Sequence, residues 1–191
     1  MRKRALFLDR DGVINVDRGY VGAREHFEFV EGIFELCRHA AALDYVVIVV
    51  TNQAGIGRGY YGEEEFLRLT EWMCDVFRDC GGPIARVYHC PYHPEHGIGI
   101  YRAESSLRKP RPGMILQAAA DFDLDLEGSV LIGDKETDVL AGRAAGVGCN
   151  LLFVPESGSR IPETATCATS TLGRLADAMP FLGSRLAQET S

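Results

Sequence analysis

No stretch of this 191-residue sequence approaches the roughly 18 apolar residues of a membrane-spanning helix, so none is expected. The opening MRKRALFLDRDG has a basic run, but only Ala5, Leu6, Phe7 and Leu8 follow before Asp9 interrupts. That is too short for the apolar core of a signal peptide. Positive charge is in deficit, with 20 Lys and Arg against 27 Asp and Glu and a net charge of -7. A nucleic-acid or membrane-surface partner would call for a basic face, so neither is expected, though a local basic patch can still hold a small anion. The six cysteines include no CxxC pair, which fits a reduced, cytoplasmic setting. Four of them, Cys37, Cys74, Cys149 and Cys167, sit in apolar or helical surroundings and are expected to be inert packing residues. There is no GxxxxGK[ST] string, which excludes a P-loop kinase, and no internal repeat is visible.

What is present has the balance of an ordinary globular protein, 46% hydrophobic and 25% charged, in a chain long enough for one domain with a real core. Short runs rich in Val, Ile, Leu and Tyr at 5–8, 45–50, 85–88, 130–132 and 151–154 predict strands. Continuous apolar runs of this kind suit a parallel sheet covered on both faces. Helical patterns fall between them, at about 30–43, 62–80, 112–122, 136–145 and 171–179. The second is clearest, with Phe66, Leu69, Met73, Val76, Phe77 and Cys80 at three- and four-residue spacing. Pro112 suits the first turn of the third. The alternation predicts an α/β fold: a doubly wound, mainly parallel sheet with helices on both faces. Residues 155–170, rich in Ser, Thr and Pro, read as a surface connection, and about 90–108 is the longest stretch without a pattern.

Ligands of open α/β sheets bind beyond the carboxyl ends of the strands. Here those ends carry Asp9-Arg10-Asp11-Gly12, Thr51-Asn52-Gln53 and Gly133-Asp134, with Asp138 one helical turn on. Arg108-Lys109-Pro110 precedes the third helix. A single acidic residue in such a place is most often a turn former or a helix cap. The whole set on one edge points instead to phosphoryl transfer. Clustered carboxylates repel unless a cation sits among them, and hard oxygen ligands favour Mg²⁺. The cation and Lys109 would offset the charge of a phosphoryl group, and a carboxylate nucleophile would split its hydrolysis through an aspartyl-phosphate. Gly57-Arg58-Gly59-Tyr60-Tyr61-Gly62 matches GxGxxG, but a lone match is weak, and a loop beside the site is the better reading.

In this order LFLDRDGVIN, VVTNQAG, RKPRPGM and IGDKETD resemble the four motifs of the haloacid dehalogenase (HAD) superfamily of phosphatases. The longer strings DRDGVINVDRGYV, VVTNQAGIGRG, LTEWM, CPYHP and RKPRPGM are similar to the branch of D-glycero-D-manno-heptose 1,7-bisphosphate 7-phosphatases, relatives of histidinol-phosphate phosphatases. The resemblance covers about residues 5–155. It implies a HAD-like fold with a minimal cap, over residues 1–191 as one domain. It also implies a Mg²⁺-dependent hydrolase acting on a small phosphorylated sugar, in the supply of nucleotide-activated heptose for lipopolysaccharide or another glycan.

Position by position, the resemblance makes Asp9 the nucleophile and a Mg²⁺ ligand. Asp11 becomes the general acid and base, its carbonyl also touching the metal. Thr51 and Lys109 hold the phosphoryl oxygens with Asn52 nearby, and Asp134 completes the metal shell. Asp138 orients Lys109 or a metal-bound water, and Arg108 meets the sugar or a second phosphate. Many members carry a structural zinc in the loop through a Cys-x-His and a Cys-x-Cys pair. Those positions here are Cys90, Tyr92, Ser105 and Leu107, only the first of which is a zinc ligand, and tetrahedral zinc needs four. A zinc-free loop is therefore expected, anchored by Ile98, Ile100, Tyr101 and Leu107. A rearranged site on Cys90, His93 and His96 is the alternative.

A receiver domain also gathers aspartates, a hydroxyl residue and a lysine around Mg²⁺. It needs its phosphorylated Asp at the end of the third strand, where this chain has His89-Cys90. A degenerate phosphate-binding regulator fits poorly with the intact Asp9, Asp11, Lys109 and Asp134. The acidic composition is compatible with a monomer.

Overall fold

The computed structural model describes residues 2–155 and 167–183. Six parallel strands lie among them: β1 (Ala5–Leu8), β2 (Val46–Asn52), β3 (Ile84–Cys90), β4 (Val130–Gly133), β5 (Cys149–Phe153) and β6 (Ser170–Leu172). Their order in the sheet is β3-β2-β1-β4-β5-β6. The helices are α1 (Ile33–Ala42), the single turn α2 (Ala54–Gly57), α3 (Glu63–Asp79), α4 (Gly113–Phe122) and α5 (Glu136–Ala145). This is the doubly wound parallel α/β architecture that the alternation of apolar runs predicts.

The alternating pleat sends successive strand residues to opposite faces, and both faces are dry. Leu6, Leu8, Val47, Val49, Ile132 and Phe153 join one apolar cluster with Ile33 and Leu36 of α1 and Leu69, Met73 and Phe77 of α3. Ala5, Phe7, Ile48, Val50 and Leu131 face the other way, against Met114, Ile115 and Ala118 of α4 and Ala141 of α5. The short all-apolar runs are therefore the central strands β1 and β4, each buried at every position. Beneath the first face Phe29, Phe34 and Phe77 form an aromatic knot, with ring centroids 4.8 to 6.0 Å apart.

Three expectations need correction. The helix read over 171–179 is instead β6 followed by a 3-10 helix, Leu175–Leu182. Leu172 pairs with Phe153 on the sheet edge, and Pro180 interrupts any regular α-helix further on. Cys167 is exposed rather than a packing residue, whereas Cys37 is buried. Pro112 stands just before α4, at its N-cap. Most of the connection read at 155–170 lies outside the described residues. No helix among the described residues is long and apolar enough to cross a membrane.

Chain order reverses between β1 and β4, which pair directly through Leu6–Val130 and Leu8–Ile132. After β1 the chain runs to α1 on one face and after β4 to α5 on the other, opening a crevice at the carboxyl ends of the two strands, where ligands of such sheets bind. Phe77→Ala, which empties a fully buried site in the aromatic knot, is expected to lower unfolding free energy by about 3–5 kcal/mol. Leu116→Ala on the exposed side of α4 should change it by less than about 0.5 kcal/mol. Denaturant titration of both variants checks this.

Candidate active site

Asp9 is the first residue beyond β1, and its N–H still pairs with the Ile132 carbonyl at 3.0 Å. Sheet pairing therefore fixes its backbone beside the end of β4, where Gly133 leads into Asp134. The turn between must be close: Gly12 has φ +95°, and a Cβ there would lie 2.3 Å from Asp134 Oδ2. Only glycine fits both the left-handed backbone and the space.

Lys109 reaches the same point from the segment before α4. It is 3% exposed, and its ammonium makes three bonds: to Val50 O at 2.8 Å, Asp9 Oδ1 at 2.9 Å and Asp138 Oδ1 at 2.7 Å. Three donors and three acceptors leave this buried charge fully satisfied. Burial would lower its pKa, but Asp138 and Asp9 outweigh that and hold the ammonium above its ordinary value. Asp138 also accepts from the Lys135 N–H at the start of α5 at 3.0 Å, so both its oxygens are engaged. Asn52, the last residue of β2, grips the Lys109 peptide from both sides. Its Nδ2 donates to Lys109 O and its Oδ1 accepts from Lys109 N, each at 3.1 Å.

The carboxylates on the β1 and β4 side are less well provided for. Burial raises Asp9, with Lys109 opposing and Asp138 adding to the rise. Asp134 is pushed up to about 7, by burial first and by the Asp9 charge second, against the pull of Lys135. Its Oδ2 lies 3.2 Å from Lys135 Nζ, while its buried Oδ1 has no hydrogen-bond partner. Oxygens of Asp9, Asp134 and Asp138 all lie within 4.8 Å of one another. An orphaned buried carboxylate oxygen beside a second carboxylate fits a hard cation. With Asp138 committed to Lys109 and to α5, Asp9 and Asp134 are the pair suited to hold one.

Asp11 stands apart from this pair, held by Arg10, Asn15 and Gln53. Arg10 is 1% exposed. Its Nη2 lies 2.9 Å from both Asp11 oxygens and 2.6 Å from Val21 O. Asn15 Nδ2 donates to Oδ1 at 3.0 Å and Gln53 Nε2 to Oδ2 at 2.9 Å.

This geometry has counterparts among known proteins. The HAD-hydrolase-like family profile matches residues 106–165. A D-glycero-alpha-D-manno-heptose-1,7-bisphosphate 7-phosphatase from Burkholderia mallei is 59% identical over 182 residues, covering 95% of each chain. The beta-anomer enzyme of Vibrio cholerae is 45% identical, covering 95% of this chain and 97% of its own. The D,D-heptose 1,7-bisphosphate phosphatase of B. bronchiseptica, solved with magnesium and phosphate, superposes with a TM-score of 0.77 at 26% identity. That match covers 94% of this chain and 97% of the other. The present chain belongs to this family of HAD-like phosphatases.

The fold brings all eight sequence-predicted residues of this phosphatase to the carboxyl edge of the sheet. Asp9, Asp11, Asn52, Arg108, Lys109 and Asp138 line a cavity of about 480 Å³ together with Asp17, Tyr20, Gln53, Arg58, Tyr61, His93 and Lys135. Thr51 is buried behind them and accepts from Gln53 Nε2 at 2.9 Å. Arg108 Nη1 donates to Tyr92 O at 3.1 Å, which ties its position to the loop.

The sequence patterns gave Arg10, Gln53, Tyr61 and Lys135 no role, although all four sit within the quoted strings. The signal for Arg10 was a charge wedged between two aspartates directly after an apolar strand, where burial demands a partner. Lys135 bridges Asp17 at 3.1 Å and Asp134, a pairing 118 residues long that sequence spacing does not reveal.

The loop at 90–108 is anchored only in part as expected, with Leu107 packed as predicted. Ile98 and Ile100 are not anchors but exposed, Ile100 at 80%. Cys90 is buried in the cluster of Tyr88, Met114 and Ile115, and Tyr92 and Leu107 pack against it. The chain is also tied by Ile98 N to Gly57 O at 2.8 Å and His93 N to Tyr101 O at 3.0 Å. His93 Nδ1 accepts from the N–H groups of Glu95 and His96 at 3.2 and 3.1 Å. That bonding leaves only Nε2 of the ring for anything else.

The raised pKa of Asp134 carries a sign. In metal-free protein a folded-state pKa above the unfolded value removes stability as pH rises between the two, here from about 4 to about 7. Asp134→Asn is therefore expected to raise the melting temperature of the metal-free phosphatase at pH 8 but hardly at pH 4. Thermal unfolding in chelator at both pH values reads the difference.

Proposed function

We propose that this phosphatase removes the 7-phosphate of a D-glycero-D-manno-heptose 1,7-bisphosphate through an aspartyl-phosphate on Asp9. The observation that carries the chemistry is the convergence of Asp9, Lys109 and Asp134 at the crevice between β1 and β4. The substrate reading rests on the names of relatives up to 59% identical across nearly the whole chain. Because the 59% relative is named for the alpha anomer and the 45% relative for the beta anomer, the alpha anomer is the first choice.

An Asp9 carboxylate oxygen attacks phosphorus as the bond from phosphorus to the sugar O7 breaks. Asp11 gives its proton to O7, so that a neutral alcohol leaves. Asp11 then takes a proton from water, the water oxygen attacks the same phosphorus, and the bond to Asp9 breaks to release inorganic phosphate. Lys109 aligns Asp9 through its 2.9 Å contact and offsets the negative charge gathered there. Because Gln53 donates to Thr51 Oγ1, the Thr51 hydroxyl keeps its own proton for a phosphoryl oxygen. Asn52 acts through the Lys109 peptide, and Asp138 orients the Lys109 ammonium. Mg²⁺, held by Asp9, Asp134 and the Asp11 carbonyl, would supply the charge that lets a polyanionic ester approach these carboxylates. Arg108 at the cavity wall suits the 1-phosphate or a sugar hydroxyl, since a guanidinium offers a planar fork to an anion.

We read residues 1–191 as one phosphatase domain with 90–108 as its substrate loop. It works as a monomer in the cytoplasm, in the supply of nucleotide-activated heptose for lipopolysaccharide or capsule. Apolar packing of Cys90, Tyr92 and Leu107 supports a loop without zinc. Elemental analysis of the purified protein should find no stoichiometric zinc; one equivalent would overturn this.

Phosphate release with Mg²⁺ tests the function, using both heptose anomers, histidinol phosphate and an aryl phosphate. Heptose bisphosphate should be strongly preferred, and Asp9→Asn should lower kcat at least about a thousandfold. Preference for histidinol phosphate would reassign the substrate and keep the mechanism. Absence of turnover on all of them would favour a binding role. Added Mg²⁺ should also raise the melting temperature more at pH 8 than at pH 5, because Asp134 binds a cation best once ionised.

A further inference from the structure

Gln53 is 1% exposed, and a buried primary amide needs partners at both its oxygen and its nitrogen. Its nitrogen donates twice at 2.9 Å, to Asp11 Oδ2 and to Thr51 Oγ1. Its oxygen accepts from the Tyr61 hydroxyl at 2.5 Å. Turned end for end, the amide would present its oxygen to Asp11, where two acceptors repel. The donor at the far end, the Tyr61 hydroxyl, selects the same orientation and anchors the amide oxygen. Burial pushes its hydroxyl up to about 12, so it keeps its proton through the neutral range.

Tyr61 does not depend on Gln53 for its own place. A Cβ at Gly22 or at Gly55 would lie 2.5 Å from its ring, so the ring is wedged between two glycine backbones. One belongs to the segment after β1 and the other to α2. The hydroxyl is thus presented to Gln53 from a fixed ring, which is what precise positioning of a reacting group requires. Arg10 and Asn15 restrain Asp11 Oδ1, while Oδ2 is addressed by Gln53 and Arg10.

We propose that Tyr61 and Gln53 are positioning residues for Asp11: the Tyr61 hydroxyl fixes the Gln53 amide, and the amide aims Asp11 Oδ2 at the sugar oxygen that must be protonated. The inference rests on the reading of Asp11 as proton donor, and the experiment separates the two. A sugar alkoxide leaves only if it is protonated, whereas a nitrophenolate leaves unaided. A fault in aiming Asp11 therefore shows in kcat/KM for the sugar phosphate far more than for p-nitrophenyl phosphate. A loss of packing, or of Thr51 alignment, would damage both alike.

The measurement is kcat/KM on both substrates, with Mg²⁺, for wild type, Tyr61→Phe, Gln53→Leu, the double variant and Asp11→Asn. Tyr61→Phe keeps the ring between the glycines, and unchanged thermal unfolding would establish that it folds. Its loss on the sugar phosphate should exceed its loss on the aryl phosphate by about fivefold, the effect of one hydrogen bond. In the Gln53→Leu background that difference should vanish, because the effect of the hydroxyl passes through the amide and not through Arg10, which also hydrogen-bonds it. Equal losses on the two substrates, or losses that multiply in the double variant, would overturn the inference while leaving Asp11 in its role. If Asp11→Asn itself fails to discriminate the substrates, the reading of Asp11 falls and the inference with it.

Discussion

A single ammonium group organises this site. Lys109 lies buried at the wall of the cavity and shares its three protons among Asp9, Asp138 and the Val50 carbonyl. Two carboxylates could not share so small a buried space without a counter-charge, and an unpaired ammonium could not be buried there either. Each is tolerated only because of the others, so the geometry of the nucleophile follows from the placement of the lysine. The surrounding structure serves that placement. The Asn52 amide clamps the Lys109 peptide, α5 presents Asp138 in its first turn, and the β1–β4 pairing brings Asp9 to meet them.

Across the crevice the balance is different. Asp134 keeps an oxygen with no partner and a pKa near neutrality. One half of the site is thus closed by its own cation and the other half is open to one from outside. That asymmetry suits a centre where the nucleophile must be aligned before any ligand arrives, while further positive charge comes with the metal.

Much of this was legible in the residues. The central strands β1 and β4 are pure apolar runs, and such runs end where the chemistry begins, so Asp9 and Asp134 could be placed from hydropathy and order alone. Lys109 and Asn52 were legible as neighbours of the site, but not as partners of each other, since 57 residues separate them. What stayed hidden depended on burial. Arg10 and Gln53 look like solvated loop residues in the sequence, and become structural only when the turn after β1 folds against α3 and the tip of β2. The loop anchors were misjudged for the same reason. Ile98 and Ile100 look like anchors by type yet are exposed, whereas the expected Leu107, joined by Tyr92, packs against the cluster that includes α4. The sheet edge defeated pattern reading as well, because β6 is three residues long and owes its state to pairing with β5.

The link between Asn52 and Lys109 has a consequence for how the molecule folds. Residues 9, 51–53, 109 and 134 come from distant parts of the chain, and joining them in order closes loops of about 25 to 60 residues, each with an entropic cost that only the completed sheet offsets. No local segment can hold the whole site. A nascent or partly unfolded chain is therefore catalytically silent, and hydrolysis is expected to report on the last contacts formed during folding rather than the first. In that sense the site is an all-or-none reporter of the native state.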